Sequence, residues 1–365
     1  MAKKPLYLQI YEEMLQNIAS GVYRHDEKIP SEIELAEQYH VSRITTKKAL
    51  DLLAENGYIT RFPRKGSFIT DRSEENAQKK IENTLPVKTI GVIMGNLVQT
   101  FGTQTLLAIE RACSESGYHL MFACSYEDQN LEMEIIQSFS QAGVSGIIIM
   151  PVHGGVYNPL ILRLSLDNIP VVFIDRDLRG LPIPYVGTDH FAAAKKLTDF
   201  LFSQGHKEVA FACTSYYETS SILERLDGFI TSNIEHGRLT HNSYWLSPKT
   251  GLHIKNTSES QEEDLETIKK FIVDNPNITG FLAIEFELAI LIREALRQLN
   301  RYSEDKESVV CFDSYSLDRV DCLRFTHVVQ DEETIGKESV RLLLDKLAHK
   351  DTADRVIVPS KIKYA

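Results

Sequence analysis

The sequence predicts an α/β protein in two parts: a small N-terminal domain of three helices and a β-hairpin, then a larger domain of two lobes with parallel sheets. A length of 365 residues exceeds what one compact core usually holds. The first seventy residues contain short amphipathic helices and then two short strands. From Thr89 onward, apolar strands alternate with helices, the pattern of parallel sheets covered on both faces.

The first two helices are indicated by apolar spacing and by a capping motif. Residues 6–19 place apolar side chains at helical intervals, and the Ser-Gly pair at 20–21 ends that run. Ser31 with Glu34 three residues later forms a capping box, which opens a second helix ending near residues 39–40. We expect that helix to turn Ile33, Leu35 and Ala36 inward.

The third helix carries the basic residues of this region. Ser42 caps it and Asn56-Gly57 ends it, so two short helices joined by a tight turn form a helix-turn-helix. One face is apolar, and Arg43, Lys47 and Lys48 lie on the other face, in the first two turns. A recognition helix enters the DNA major groove with such an N-terminal end. For this helix alone, a solvated amphipathic helix is the alternative interpretation.

A basic hairpin follows and favours DNA binding. Residues 58–62 and 67–70 read as two strands, with Arg64, Lys65 and Gly66 in the turn between them. Three helices followed by such a hairpin make a winged helix, whose wing touches phosphate or the minor groove. Residues 1–72 carry 11 Lys and Arg against 10 Asp and Glu, whereas the whole chain has a net charge of −11. Any contact with nucleic acid is therefore local to this domain.

Residues 1–70 resemble the DNA-binding domain of the GntR family. The resemblance rests on PSEIELA at 30–36, VSRITTKKAL at 41–50 and KGSF at 65–68. It implies operator contacts from the third helix and the wing. The candidate DNA-binding residues are Ser31, Ser42, Arg43, Ile44, Thr45, Lys47, Lys48, Arg64, Lys65 and Gly66. Ile33 stands where many relatives have arginine, which argues against a base contact from the second helix.

Residues 71–88 are polar and highly charged, as in an interdomain linker, and residues 89–365 form the predicted second domain. That domain contains no dinucleotide-binding glycine motif, P-loop, nucleophile elbow or HExxH motif, so we predict no catalytic site, no cofactor and no enzyme activity. Asp189-His190 could suggest acid-base chemistry, but an isolated Asp-His pair is more often a helix cap.

The composition also points away from metal binding and from the membrane. The five cysteines are widely spaced, and the histidines show no ligand spacing, so no metal site is predicted. No apolar run approaches the roughly 20 residues that cross a bilayer, and the N terminus turns acidic before a signal-peptide core could form. We therefore expect a cytoplasmic protein with reduced thiols.

The second domain resembles the effector-binding domain of LacI/GalR regulators, which shares the periplasmic-binding-protein fold. The matching motifs include GVSGIIIMP at 143–151, IPVVFIDR at 169–176, ERLDGF at 224–229 and VVCFDSY at 309–315. The resemblance implies two lobes joined by three chain passages, near residues 175, 329 and 357, with the ligand between the lobes. It nominates as effector-binding residues Phe173, Asp175, Ser221, Arg225, Trp245, Glu285, Asp313 and Gln330.

These residue types suit a sugar, because hydroxyl groups both donate and accept hydrogen bonds and an aromatic ring packs on the C–H face of a sugar ring. The combination of domains resembles arabinose-responsive repressors, which implies a homodimeric repressor of carbohydrate-utilisation genes that binds double-stranded operator DNA and senses a pentose or similar sugar. Glu285-Phe286 replace the usual Asn-Asp, so the effector differs in shape or charge from common hexoses. A purine or other non-sugar effector is the alternative, and whether the effector induces or co-represses stays open.

Overall fold

The computed structural model describes fourteen stretches of the chain, and it divides into two compact units, residues 1–86 and 87–365. The described residues are 5–19, 22–23, 27–55, 58–62, 65–69, 88–97, 100–154, 158–166, 169–213, 218–238, 245–248, 258–303, 308–314 and 324–365. The expected linker (except Lys88), the Asn56-Gly57 helix end and Arg64 lie outside them.

The first unit contains three helices and a hairpin, in the predicted order. They are α1 (Leu6–Ala19), α2 (Glu32–Gln38), α3 (Arg43–Glu55), β1 (Ile59–Phe62) and β2 (Gly66–Ile69). The capping box is confirmed: the Ser31 hydroxyl accepts from the Glu34 N–H, and the Glu34 carboxylate accepts from the Ser31 N–H. The hairpin is antiparallel, with Phe62 opposite Gly66.

One face of each helix in this unit closes over a small apolar core. That core contains Ile10, Met14, Ile29, Leu35, Ala49, Leu50, Leu53, Ile59 and Ile69. The expectation for Ile33 is wrong, because its side chain is 54% exposed while Leu35 is fully buried. Residues two apart on a helix point about 200° apart, so α2 cannot bury both.

The second unit consists of two six-stranded sheets with helices between the strands. The first sheet has the order β13-β7-β6-β5-β3-β4 and is parallel throughout. Its strands are β3 (Thr89–Met94), β4 (His119–Cys124), β5 (Gly146–Ile149), β6 (Val171–Ile174), β7 (Tyr185–Thr188) and β13 (Arg355–Val358). The helices that accompany it are α4 (Thr103–Glu115), α5 (Gln129–Ala142), α6 (Pro159–Leu166) and α11 (Glu332–Leu347).

The second sheet has the order β14-β12-β11-β10-β8-β9, and only β14 runs antiparallel to its neighbour. Its strands are β8 (Val209–Ala212), β9 (Trp245–Leu246), β10 (Gly280–Ala283), β11 (Val309–Phe312), β12 (His327–Val329) and β14 (Lys361–Lys363). Its helices are α7 (His190–Ser203), α8 (Ser220–Glu235), α9 (Ser258–Asp274) and α10 (Phe286–Gln298). We call the two sheets with their helices the first lobe and the second lobe.

The chain passes between the lobes three times. The expected first passage near residue 175 is wrong, because β7 still pairs with β6 and β13 and the chain enters the second lobe only at α7. Asp175 leaves β6 through a left-handed turn, φ 62°, and the chain then returns to the same sheet. The other passages fall between β12 and α11 and between β13 and β14, beside the expected positions 329 and 357.

Candidate functional site

The N-terminal end of α3 is fixed by short polar contacts. The Ser42 hydroxyl accepts from the Thr45 N–H at 3.3 Å and hydrogen-bonds the Thr45 hydroxyl at 2.9 Å, so Ser42 caps the helix. The Thr46 hydroxyl, fully buried, donates to the Glu32 carbonyl at 2.8 Å. This bond ties the start of α3 to the start of α2 and sets the angle at which α3 is presented.

Glu32 also holds two arginines of this unit. Its carboxylate accepts from Arg43 Nε at 3.1 Å and from the guanidinium of Arg61 on β1, which in turn pairs with Asp51 of α3. Burial opposes ionisation of Glu32, but the hydrogen bonds from Arg61 and Arg43 hold its pKa below the ordinary value. Arg43 remains 68% exposed, so its outer nitrogens face solvent. Sequence reasoning did not predict these roles of Glu32 and Arg61. The only sequence signal for them was the glutamate of the Pro-Ser-Glu motif, which is Glu32.

The other candidate DNA-binding residues of α3 differ in their surroundings. Ile44 is 79% exposed, which is unusual for a large apolar side chain, and Lys47 is also exposed. Lys48 lies against α1, with Nζ 4.1 Å from the centre of the Tyr7 ring. The structure therefore places Arg43, Ile44 and Lys47 on an open surface and directs Lys48 toward α1.

The hairpin and the N-cap of α2 supply the remaining candidates. Lys65 is exposed and Gly66 has φ 113°, a conformation that favours glycine. A Cβ atom at Gly66 would lie 2.6 Å from Cε of Lys28, so the glycine also admits this lysine beside the hairpin. Ser31 uses its hydroxyl in the capping box described above. Lys28 is a basic neighbour of the wing that sequence reasoning did not nominate.

In the second unit, the carboxyl ends of strands from both sheets meet between the lobes. Asp175 follows β6 and Asp313 follows β11, with nearly equal left-handed φ angles of 62° and 61°. Gln330 follows β12, and its amide nitrogen donates to both Asp313 oxygens, at 3.0 and 3.1 Å. The Gln330 amide oxygen accepts from the Thr188 hydroxyl at the end of β7, at 2.7 Å. Ligands of open α/β sheets bind at such strand ends.

Arg225 lies on α8 at the centre of this group. Its Nη1 donates to the Ile284 carbonyl at 2.7 Å, and its guanidinium lies 3.9 Å from the centre of the Phe312 ring. Its Nε donates to Nδ1 of His190 at 3.3 Å. Two nitrogens of Arg225 are thus held by the second lobe, and among the described residues no protein acceptor binds Nη2.

Two acidic side chains, Asp313 and Asp175, lie in the group around Arg225. Burial raises the pKa of Asp313 to about 8, although Arg225 and the Gln330 amide both lower it, so Asp313 is largely neutral at pH 7. Asp175 lies 3.6 Å from Nε of Arg176 and 3.6 Å from Nε2 of His190. The cleft therefore offers a guanidinium, a carboxylic acid that can donate or accept, and a second carboxyl group.

The other nominated effector residues lie around this group or away from it. Phe173 is wrong as a cleft residue: it is 1% exposed and packs in the core of the first lobe, because alternate residues of β6 face the two sides of the sheet. Ser221 is buried in the first turn of α8. Trp245 lies on the edge strand β9, opposite Phe211, and packs against the core of the second lobe. Glu285 occupies the N-cap position of α10.

Sequence reasoning missed a buried ion pair in the first lobe. Arg176 donates two hydrogen bonds to Glu127, at 2.9 and 3.0 Å, and both side chains are less than a tenth exposed. Burial opposes ionisation of Glu127, but the charges of Arg176 and His153 hold its pKa at about 2. Arg176 lies two residues after the end of the apolar strand β6, which was the available signal.

The same region of the first lobe contacts the first turn of α8. Nδ1 of His153 lies 3.0 Å from the Thr219 hydroxyl, and the Gly154 N–H donates to that hydroxyl at 3.0 Å. The Asp177 N–H donates to the Ser220 hydroxyl at 2.8 Å. Since Arg225 lies just over one turn further along α8, the helix that carries it is fastened to both lobes.

The described residues contain neither a candidate metal site nor a candidate membrane span. No group of three or more His, Cys, Asp or Glu in those stretches could hold a metal ion. No helix in the part of the chain that the structure describes is long and apolar enough to span a bilayer.

Comparison with known proteins matches each unit to a family. Residues 6–69 match the model of the gntR family of bacterial regulatory proteins, and residues 90–351 match the periplasmic binding protein domain. The arabinose metabolism transcriptional repressor of Geobacillus stearothermophilus is 28% identical over 350 residues, 94% of this chain and 91% of that protein. The repressor of the same name from Halalkalibacterium halodurans is 23% identical over 344 residues, 93% of this chain and 88% of that protein.

A solved structure supports the fold of the second unit. The transcription regulator CcpA of Lactococcus lactis superposes with a TM-score of 0.66 at 18% sequence identity, covering 76% of this chain and 97% of that one. The predicted winged helix and two-lobed α/β fold are confirmed. The chain belongs to the periplasmic-binding-protein domain family through residues 90–351, and it carries at its N terminus a helix-turn-helix domain, residues 6–69, that matches the gntR family.

Proposed function

We propose that this protein is a transcriptional repressor of carbohydrate-utilisation genes whose affinity for operator DNA is controlled by L-arabinose or another pentose bound between the lobes. The observation that carries the proposal is the convergence of Arg225, Asp313, Asp175 and Gln330 at the strand ends of the two lobes. Similarity to an arabinose repressor along 94% of the chain supports the choice of sugar. The protein acts in the cytoplasm as a homodimer.

The chemistry of the cleft suits adjacent hydroxyl groups. Nη2 of Arg225 donates to a sugar oxygen, while a neutral Asp313 accepts from one hydroxyl and donates to another. Asp175 supplies a further acceptor from the first lobe. We assign the selection among sugars by shape to Ser221, Trp245 and Glu285. A sugar that contacts Arg225 and Asp175 together touches both lobes, so its binding favours one arrangement of the lobes over another.

On the operator side, Arg43, Ile44 and Lys47 contact bases in the major groove, where arginine and lysine bind guanine and apolar side chains contact thymine methyl groups. Ser31, Ser42, Thr45 and Lys48 contact the DNA backbone. The wing residues Arg64, Lys65 and Gly66 approach phosphate or the minor groove, and Arg64 lies outside the described residues.

A purine effector is less well supported by this cleft. The case for a nucleobase needs two aromatic rings that stack on its faces, and Phe173, one of the two candidates, packs in the core of the first lobe. The polar groups around Arg225 suit hydroxyls as well as ring nitrogens. The burial of Phe173 therefore favours the sugar.

Thermal unfolding with candidate ligands tests the proposal. A ligand at 100 times its Kd stabilises the native state by about 2.7 kcal/mol, which a melting curve resolves. We expect L-arabinose or another pentose to raise Tm, and Arg225→Ala to abolish the shift. Arg238→Ala, an exposed arginine three residues after the end of α8, is the matched control and should retain it. A shift with adenine or hypoxanthine and none with any sugar would contradict the proposal.

A further inference from the structure

His190 is a buried histidine at the first passage between the lobes. It is the first residue of α7, and its side chain is completely buried. The neighbouring Asp189 is engaged elsewhere, because its carboxylate caps α7 by accepting from the Ala192 N–H at 2.9 Å. The two residues therefore do not act as an acid-base pair, and the imidazole has a separate role.

The imidazole contacts both lobes. On one side, Nε2 lies 3.3 Å from the Asp175 carbonyl oxygen and 3.6 Å from Oδ1 of the same residue, in the first lobe. On the other side, Nδ1 lies 3.3 Å from Nε of Arg225, in the second lobe. The ring thus spans the hinge between a first-lobe carboxylate and the arginine that we assign to the effector.

The protonation of Arg225 determines the tautomer of His190. A guanidinium has only donors and stays protonated, so Nδ1 must be the nitrogen with the free lone pair. The ring proton is then on Nε2, where it donates to the Asp175 carbonyl. Burial, together with the charge of Arg225, lowers the pKa of His190 well below its ordinary value, which keeps the ring neutral.

The contact between these residues depends on a close approach of two helices. Gly228 lies one turn after Arg225 on α8, and a Cβ atom there would come within 2.2 Å of the Phe191 carbonyl oxygen on α7. Glycine therefore allows α8 to lie close to the start of α7. The ERLDGF segment thus supplies both Arg225 and the glycine that brings it to His190.

We infer that His190 is a positioning residue for the effector: as the Nε2–H tautomer it holds Nε of Arg225 and links that arginine to Asp175 across the hinge. With Nε bound to His190 and Nη1 bound to the Ile284 carbonyl, the guanidinium plane is fixed and Nη2 is directed to the ligand. This inference rests on the proposed function, in which Arg225 binds the effector. Loss of the hydrogen bond at Nδ1 would loosen Arg225, and loss of the hydrogen bond at Nε2 would uncouple Arg225 from the first lobe.

Two variants separate the two sides of the ring. The Asn side chain places an amide oxygen near the position of Nδ1, whereas the Gln side chain places an amide nitrogen near the position of Nε2. His190→Asn keeps the acceptor for Arg225, and we expect L-arabinose affinity within about threefold of wild type by calorimetry. His190→Gln loses that acceptor, and we expect a loss of about tenfold or more, the usual effect of removing a hydrogen bond to a charged group.

A merely structural role gives a different pattern. If His190 only fills space, the two variants weaken L-arabinose binding equally, in proportion to their loss of Tm, and that result overturns the inference. Operator binding without sugar serves as a second readout and should change little in either variant. If the wild-type protein does not bind L-arabinose, the effector assignment fails, and the following measurement decides the role of His190 alone.

Histidine-selective ¹⁵N spectra of the full-length, sugar-free protein report the tautomer directly. We expect a neutral His190 ring with its proton on Nε2 and an Nδ1 resonance that shifts in Arg225→Met, a variant that keeps an aliphatic chain near the Phe312 ring. A proton on Nδ1, a charged ring, or an Nδ1 resonance unchanged by Arg225→Met would each refute the inference.

Discussion

Replacing Glu32 with Gln tests whether the acidic side chain beside the recognition helix prepares Arg43 for DNA. Glu32 accepts from Arg43 Nε at 3.1 Å and also binds Arg61, so one carboxylate orders two long side chains. The glutamine keeps the shape and one acceptor but removes the charge. The side chains of Arg43 and Arg61 are 68% and 34% exposed, so solvent screens both pairs and each lost ion pair costs only about 0.2–1 kcal/mol of stability.

The effect on operator binding has two opposing parts. Ordering a long side chain on binding costs about 0.5–1.5 kcal/mol. In the wild type Glu32 already orders Arg43, whereas in the variant this cost reduces the free energy of operator binding. Removing a negative charge near phosphate strengthens all DNA binding, specific and non-specific, and this gain weakens with salt. We therefore expect non-specific affinity to rise slightly and the ratio of specific to non-specific affinity to fall about three- to tenfold.

Fluorescence anisotropy with an operator selected from random duplexes, and with a scrambled duplex, measures this ratio at several salt concentrations. Glu37→Gln, an exposed acid on the same helix, is the matched control for charge alone. If both variants change the ratio equally, Glu32 does not act through Arg43. A cycle with Arg43→Ala sharpens the test, because the effect of Glu32→Gln on the ratio should largely vanish in that background.

Two further predictions concern buried charges in the second unit. Arg176→Met leaves Glu127 buried without its bidentate partner, so we expect urea unfolding to show a free energy of unfolding lower by about 3–5 kcal/mol. The double variant, Arg176→Met with Glu127→Gln, should recover most of that loss. Equal losses in the single and the double variant would refute the ion-pair account. Asp313 has a folded-state pKa of about 8, above its unfolded value near 4, so folding takes up one proton between these values and stability falls as pH rises. Over pH 5–7 the wild type should therefore lose about 1.4 kcal/mol per pH unit more than Asp313→Asn, and parallel pH profiles would show an ionised Asp313.

The first unit could be predicted from sequence almost to the residue, since its signals are local. A capping box, a Ser42 cap and a hairpin turn each act within a few residues, and they place α2, α3 and the wing. Ile33 was misplaced because apolar residues at 33, 35 and 36 of so short a helix do not show which face is buried. The contact of Glu32 with Arg43 and Arg61 joins residues 11 and 29 positions away, which no local pattern contains.

In the second unit, strand order and partners in the cleft depend on long-range contacts. Sequence reasoning identified Arg225 and Asp313 from motifs, but the first passage was placed one strand too early because β7 has only four residues, Tyr-Val-Gly-Thr, and little apolar signal of its own. The alternation of β6 directs Phe173 into the core, a choice fixed by the register with β5 and β7. The role of His190 becomes visible only once α7 and α8 are packed together.

The central claim is that sugar in the cleft and DNA on the winged helix are thermodynamically coupled. The most direct measurement is the affinity of the full-length protein for its selected operator with and without saturating L-arabinose, combined with its L-arabinose affinity with and without operator. The account predicts that both affinities change by the same factor, about 5–150-fold, and that Arg225→Ala removes the change. An operator affinity that is identical at all L-arabinose concentrations, while the sugar binds the cleft tightly, would contradict it.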